Sequence, residues 1–232
     1  MNTTYPMKCN KIIQNLSKDS LGKRKQRIAF HEAGHATAIY LNNQTRDLPP
    51  VFFQIMLKDL NDTSEEDLLV YQTAHDECIA SVEGGRLIEL LPPSIDALVQ
   101  KTTGHNDAMV YLLKDYMNAF ETDIINLLIG PLAEAKYVSN TDNEPFNHRL
   151  VNLNALKNYD VSSDLELVKD YLQSFSACKQ QQDEKLATLF SAAFNFITDQ
   201  ANWTAITRLA NYILDCNKNI ISCEEVASLL EH

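Results

Sequence analysis

A mainly helical domain with one small β-sheet (α+β) is the fold class this sequence predicts, on three observations. Apolar residues recur at helical spacing from Asp107 to Val138, through Met109, Leu112, Leu113, Met117, Phe120, Ile124, Leu127 and Leu128. Arg24 to Leu41 carries Ile28, Ala29, Ala33, Ala36, Ala38 and Ile39, a composition suited to a buried helix. One short run, Val51 to Leu57, is apolar and partly β-favouring, and it follows the helix-stopping pair Pro49-Pro50.

Taken in order, residues 1–22 form an N-terminal extension, and residues 23–232 a single domain. The first helix runs from Lys23 to Leu41 and ends at Asn42, Asn43 and Gln44. The strand at Val51 to Leu57 gives way to a polar loop, Lys58 to Asp67. Leu68 to Tyr71 has strand character, and Gly84-Gly85 favours a turn between extended pieces before Pro92-Pro93. In the long helix from Asp107, Gly130-Pro131 marks a kink or a junction. A second polar loop, Ser139 to about Tyr159, precedes a helix that Ser162 or Ser163 can cap and that runs through Phe175. Helices over about Gln182 to Thr198, Asn202 to Cys216 and Ser222 to Leu230 follow, the last with Ser222 and Glu225 spaced as a capping box.

Twenty Lys and Arg residues stand against 31 Asp and Glu, a formal net charge of -11, which disfavours nucleic acid and anionic lipid as partners. The five cysteines, Cys9, Cys78, Cys178, Cys216 and Cys223, show no metal-ligand spacing and read as reduced thiols, which fits a cytoplasmic protein. No segment reaches the roughly 20 uninterrupted apolar residues of a membrane helix, and none near the start has the apolar run of a signal peptide.

The most informative five residues are His31, Glu32, Ala33, Gly34 and His35. They spell HExxH within a helical segment. Residues four apart on a helix lie one above the other, so both imidazoles can grip one divalent ion while Glu32 sits beside it as general base. This is a zinc-peptidase signature. A catalytic zinc takes three protein ligands and leaves a position for water, so a third must come from elsewhere. A metzincin-type third histidine would fall at position 41, which is Leu41. Glu65 and Glu66, the thermolysin-like option, lie in a polar loop. His75, His105, His148 and His232 are isolated in polar segments. Tyr71, Tyr159 or His148 can be imagined as oxyanion donors, but no spacing selects one.

HEAGH, followed by Gly130-Pro131-Leu132-Ala133-Glu134-Ala135 and then Ser162-Ser163-Asp164-Leu165 opening a helix, resembles the peptidase domain of the FtsH family of zinc metalloproteases. The resemblance spans roughly Lys23 to Leu230 and implies a zincin-like helical fold, Zn2+ as cofactor, Asp164 as third ligand and Glu134 as the residue that orients a ligand from behind. A rival match, Gly84 to Glu89 followed by Thr102 to Asp107, offers Asp107 instead. Asp164 is preferred because Gly130 to Val138 continues an apolar helix, whereas Gly84 to Leu91 is stopped by prolines. The chain has no Walker A motif, no ATPase module and no membrane segment. A standalone peptidase domain acting on peptide or unfolded protein is therefore the expectation, with a separate ATPase partner or a homo-oligomer compatible with it. The alternatives are a catalytically inactive peptide-binding or regulatory protein on the same scaffold, and a plain helical interaction module in which HEAGH is incidental.

Overall fold

The computed structural model describes residues 10–57, 80–92, 95, 107–152, 156 and 162–231, with the side chains of 10–21, 107–109 and 162 excepted. The expected strand at Leu68 to Tyr71 and the loop before it lie outside the described residues. What is described is mainly helical, with one three-stranded antiparallel sheet.

Helix α1, Asn10–Thr45, is longer at both ends than its apolar pattern predicts, and it crosses the expected boundary between residues 22 and 23. No proline interrupts it, and the one glycine before the HEAGH segment, Gly22, costs only about 1 kcal/mol relative to alanine. Residues 28–39 are buried around the whole circumference of the helix. That is possible because five of those twelve positions are Ala or Gly, which let neighbouring backbones approach from several sides.

Strand β1 is Phe53–Leu57 and β2 is Ala80–Gly84. They pair from Phe53 opposite Gly84 to Leu57 opposite Ala80. Gly84 and Gly85, at φ of 83° and 82°, turn the chain out of β2. A side chain at Gly84 would lie 2.6 Å from the Phe52 carbonyl oxygen, so the turn needs glycine twice over. A third strand, later in the chain, adds to the other side of β1 and leaves β2 at the edge.

Helix α2, Asp107–Thr141, continues through Gly130-Pro131 as one element. It packs on α1 at a close crossing: a Cβ on Gly34 would meet the Ala133 Cβ at 2.8 Å and the Gly130 Cα at 3.1 Å. Helix α3, Ser162–Phe175, and α4, Lys179–Thr198, also pack on α2. Helix α5, Gln200–Asp215, packs on α1 and starts from Asp199, whose carboxylate accepts from the backbone N–H groups of Ala201 and Asn202. Phe30 of α1 stacks on Tyr137 and Trp203, with ring centroids 4.2 and 5.5 Å away, and so joins α1 to α2 and α5.

The chain then forms β3, Ile220–Ser222, and helix α6, Cys223–Leu230. Ser222 and Glu225 make the expected capping box. Strand β3 pairs with β1 (Gln54 opposite Ser222, Met56 opposite Ile220). The sequence does not announce it, since three residues are too few to show an alternation. No helix among the described residues is long and apolar enough to cross a membrane.

Candidate metal centre

His31 and His35 stand on the buried middle of α1, each 8% exposed, and their rings meet edge to face with centroids 4.8 Å apart. Asp164 reaches them from the first turn of α3. Its Oδ2 lies 3.0 Å from His31 Nε2 and 3.3 Å from His35 Nε2, and the two Nε2 atoms are 3.0 Å apart. Three candidate ligand atoms from two helices thus converge on one point. Two ligands on a tetrahedral ion with bonds of about 2.0–2.1 Å lie about 3.3 Å apart. The observed triangle needs to widen by only a few tenths of an ångström to match. Among the described residues, His31, His35 and Asp164 are the group that can hold a metal ion.

The outer nitrogens decide what the inner ones offer. His35 Nδ1 is 2.9 Å from the Asn126 carbonyl oxygen, which can only accept, so Nδ1 carries a hydrogen. His31 Nδ1 donates to Glu134 Oε2 at 3.1 Å. When neutral, both rings are therefore held with Nε2 lone pairs facing Asp164, the tautomer a metal requires. Glu134 is itself fixed by Arg27, whose Nε donates to Oε1 at 2.7 Å.

Charge follows from these contacts. Burial pushes the Asp164 carboxyl up, but the His35 charge and hydrogen bonds from both rings outweigh it and hold the group well below the usual carboxylate range. For His31, burial works against protonation, yet hydrogen bonds to Asp164 and Glu134 win and raise its pKa well above the ordinary imidazole value. A cation held by these atoms would compete with the proton on His31.

Glu32, 7% exposed, follows His31 on α1. Its Oε2 accepts the Val82 backbone N–H of edge strand β2 at 2.7 Å. Burial raises its pKa, and the two histidines and the Val82 hydrogen bond offset only part of that rise. A carboxylate shifted upward is a stronger base near neutral pH.

Small residues make the cluster possible. A Cβ on Gly130 would fall 2.2 Å from His35 Nε2, so the imidazole lies directly on the α2 backbone. Pro131 leaves the Leu127 carbonyl without its helical donor, and in the same turn the Asn126 carbonyl accepts from His35.

Of the residues the sequence singles out, His31, Glu32, His35, Glu134 and Asp164 come together. Asp107, the alternative ligand, is the first residue of α2, and its side chain lies outside the described residues. Glu89 of the rival motif is exposed in the loop after β2. His148 is exposed, with its ring 3.6 Å from that of Phe194. His75, His105, His232, Tyr71, Tyr159, Glu65 and Glu66 lie outside the described residues. Cys178, Cys216 and Cys223 are free thiols.

Sequence reasoning misses Arg27, Asn126 and Val82. Arg27 had a signal, being four residues before His31 and so on the same face of α1. Asn126 and Val82 act through backbone atoms, which no residue type advertises. No family model matches the chain, and no curated protein matches it.

Proposed function

We propose that this protein is a zinc-dependent peptidase. The observation that carries the reading is the convergence of two Nε2 atoms and Asp164 Oδ2, with the outer nitrogens of both rings committed to acceptors. Two imidazoles and one carboxylate suit zinc, which keeps a further position for water in catalytic sites. An ion held there supplies Lewis acidity, for polarising a carbonyl and for making a water nucleophilic near neutral pH.

The remaining steps fall to the chain's own residues. Glu32, fixed by Val82 and with its pKa raised by burial, takes the proton from the attacking water and passes it to the leaving amine. Glu134 and the Asn126 carbonyl keep the imidazoles in register, and Arg27 anchors Glu134 through Oε1. The order HEAGH, GPLAEA and SSDL along the chain supports kinship with the FtsH peptidase domain.

Glu32→Gln tests the mechanism. The variant is expected to retain zinc, measured by atomic absorption, and to lose about 100-fold or more of its activity on unfolded casein. An undiminished rate refutes the role of Glu32. A second reading, a peptide-binding protein without turnover, is favoured by the depth of the cluster, since His31, Glu32 and His35 are all 8% exposed or less. Tight zinc with no chelator-sensitive digestion across a broad substrate panel would select it.

A further inference from the structure

We propose that Arg86, at the border of a small recess beside the histidine and aspartate cluster, binds a carboxylate of the substrate next to the bond under attack. The inference rests on the hydrolytic reading above and names the substrate feature that reading leaves open.

The recess has a volume of about 80 Å³ and is bordered by His35, Gly84, Gly85, Arg86, Asn126 and Asp164, among others. Size is the first constraint. A cavity of about 150 Å³ takes benzene, so a space near half of that refuses aromatic and long aliphatic side chains and admits a group the size of a carboxylate or carboxymethyl.

Charge is the second. Two acids also border the recess, Asp123 and Asp164. Asp164 belongs to the metal cluster. Asp123, 2% exposed, accepts from the backbone N–H of Leu87 and of Ile88 and from the Tyr171 hydroxyl, each at 2.9 Å, so its oxygens are already supplied with donors. Among the described residues, Arg86 forms no ion pair within 4.0 Å, although Asp123 feels its charge. Among the described residues, Arg86 is therefore the cation at the recess that makes no direct ion pair, its nearest charge interaction being with Asp123.

The third is preorganisation. Before Arg86 the chain turns at Gly84 and Gly85, and a Cβ on Gly85 would lie 2.4 Å from Ile39 Cδ1, which seats this backbone against α1. After Arg86 the next two residues are clamped to Asp123, which also accepts from the Tyr171 hydroxyl on α3. A buried acid thus fixes the backbone that carries one basic residue beside the cluster. A guanidinium held in this way favours a planar carboxylate over a neutral group of equal size.

The carboxylate can come from an aspartate side chain flanking the scissile bond or from the free C-terminus of a short substrate, and matched peptides separate the two. The zinc-loaded full chain is given peptides that differ in one flanking residue (Asp, Asn, Ala or Phe), and a further pair that differ in a free or amidated terminus one residue beyond the bond. We expect Asp over Asn, or free over amidated, by about tenfold or more in kcat/KM, with Phe refused. Arg86→Gln should erase that preference and Arg86→Glu should turn it toward Lys. The same peptides are titrated calorimetrically into the Glu32→Gln protein, where the carboxylate preference and its loss on adding Arg86→Gln should persist. If Arg86→Gln fails to fold, the Asp and Asn comparison in the unaltered chain and Arg86→Lys, which keeps the charge, still decide. Arg86-dependent binding without cleavage defeats the hydrolytic reading and leaves the inference standing. Cleavage or binding indifferent to the carboxylate overturns the inference, as does no binding of any peptide.

Discussion

At the scale of single residues, the candidate metal cluster depends on more than His31, His35 and Asp164. His31 and His35 owe their tautomer and orientation to the atoms behind them: Glu134 Oε2 for one, the Asn126 carbonyl for the other. Removing the charge of Glu134 while keeping its shape should weaken metal binding. We expect Glu134→Gln to lower zinc affinity about 10- to 100-fold in competition with a chromophoric chelator. Unchanged affinity would show that Arg27 and Glu134 form a structural pair with no bearing on the ion. HEAGH is legible because the chemistry needs its three side chains at fixed spacing. The Asn126 carbonyl is not, since any residue type could have supplied it.

Among elements, the decisive contact is the α1–α2 crossing. Gly34 sits against Ala133 and Gly130, and His35 sits on Gly130, so the helices approach closely at the turn that carries the ligands. Gly130→Ala should therefore damage the site more than the fold. A methyl group 2.2 Å from His35 Nε2 forces the ring or the helix to move, and overpacking of this kind costs about 1–3 kcal/mol. Circular dichroism should report a folded helical protein with a lowered Tm, and the zinc content should fall well below that of the unaltered chain. Full zinc occupancy in this variant would contradict the packing argument. The same crossing explains which elements are readable in advance. The long apolar pattern of α2 and the small residues around HEAGH both come from burial, which leaves a compositional trace. The extension of α1 back to Asn10 does not, because nothing in that stretch stops a helix and nothing in it requires one. Strand β3 owes its existence to its partner β1 rather than to its three residues.

For the whole molecule, the cluster couples stability to pH and to metal in opposite directions. In the metal-free protein the folded state raises the pKa of His31. That contribution is complete below the unfolded imidazole value of about 6.5 and is lost as pH rises through the raised value. The folded state lowers the pKa of Asp164, so its contribution is present above the unfolded value of about 3.9 and is lost as pH falls toward the folded one. The contribution of these two groups in the metal-free protein is thus fullest between those two unfolded values and declines on the alkaline side. A bound ion needs His31 neutral, so its stabilising effect grows as pH rises. The Tm difference between zinc-loaded and chelator-treated protein should be larger at about pH 9 than at about pH 6, the proton being the ion's competitor at His31. A difference that shrinks with pH would mean that His31 does not bind the ion.

The hydrogen bond from Val82 to Glu32 gives the molecule an internal witness. An amide proton shared with a carboxylate is deshielded while the acid is ionised and moves upfield when the acid takes a proton. In an ¹⁵N-labelled sample the Val82 cross-peak should trace the titration of Glu32, with a midpoint above the ordinary glutamate value. A resonance that stays put, or turns at the ordinary value, would strip Glu32 of the basicity assigned to it. One peak on a β-strand edge can thus follow the charge of a buried acid without substrate, product or turnover.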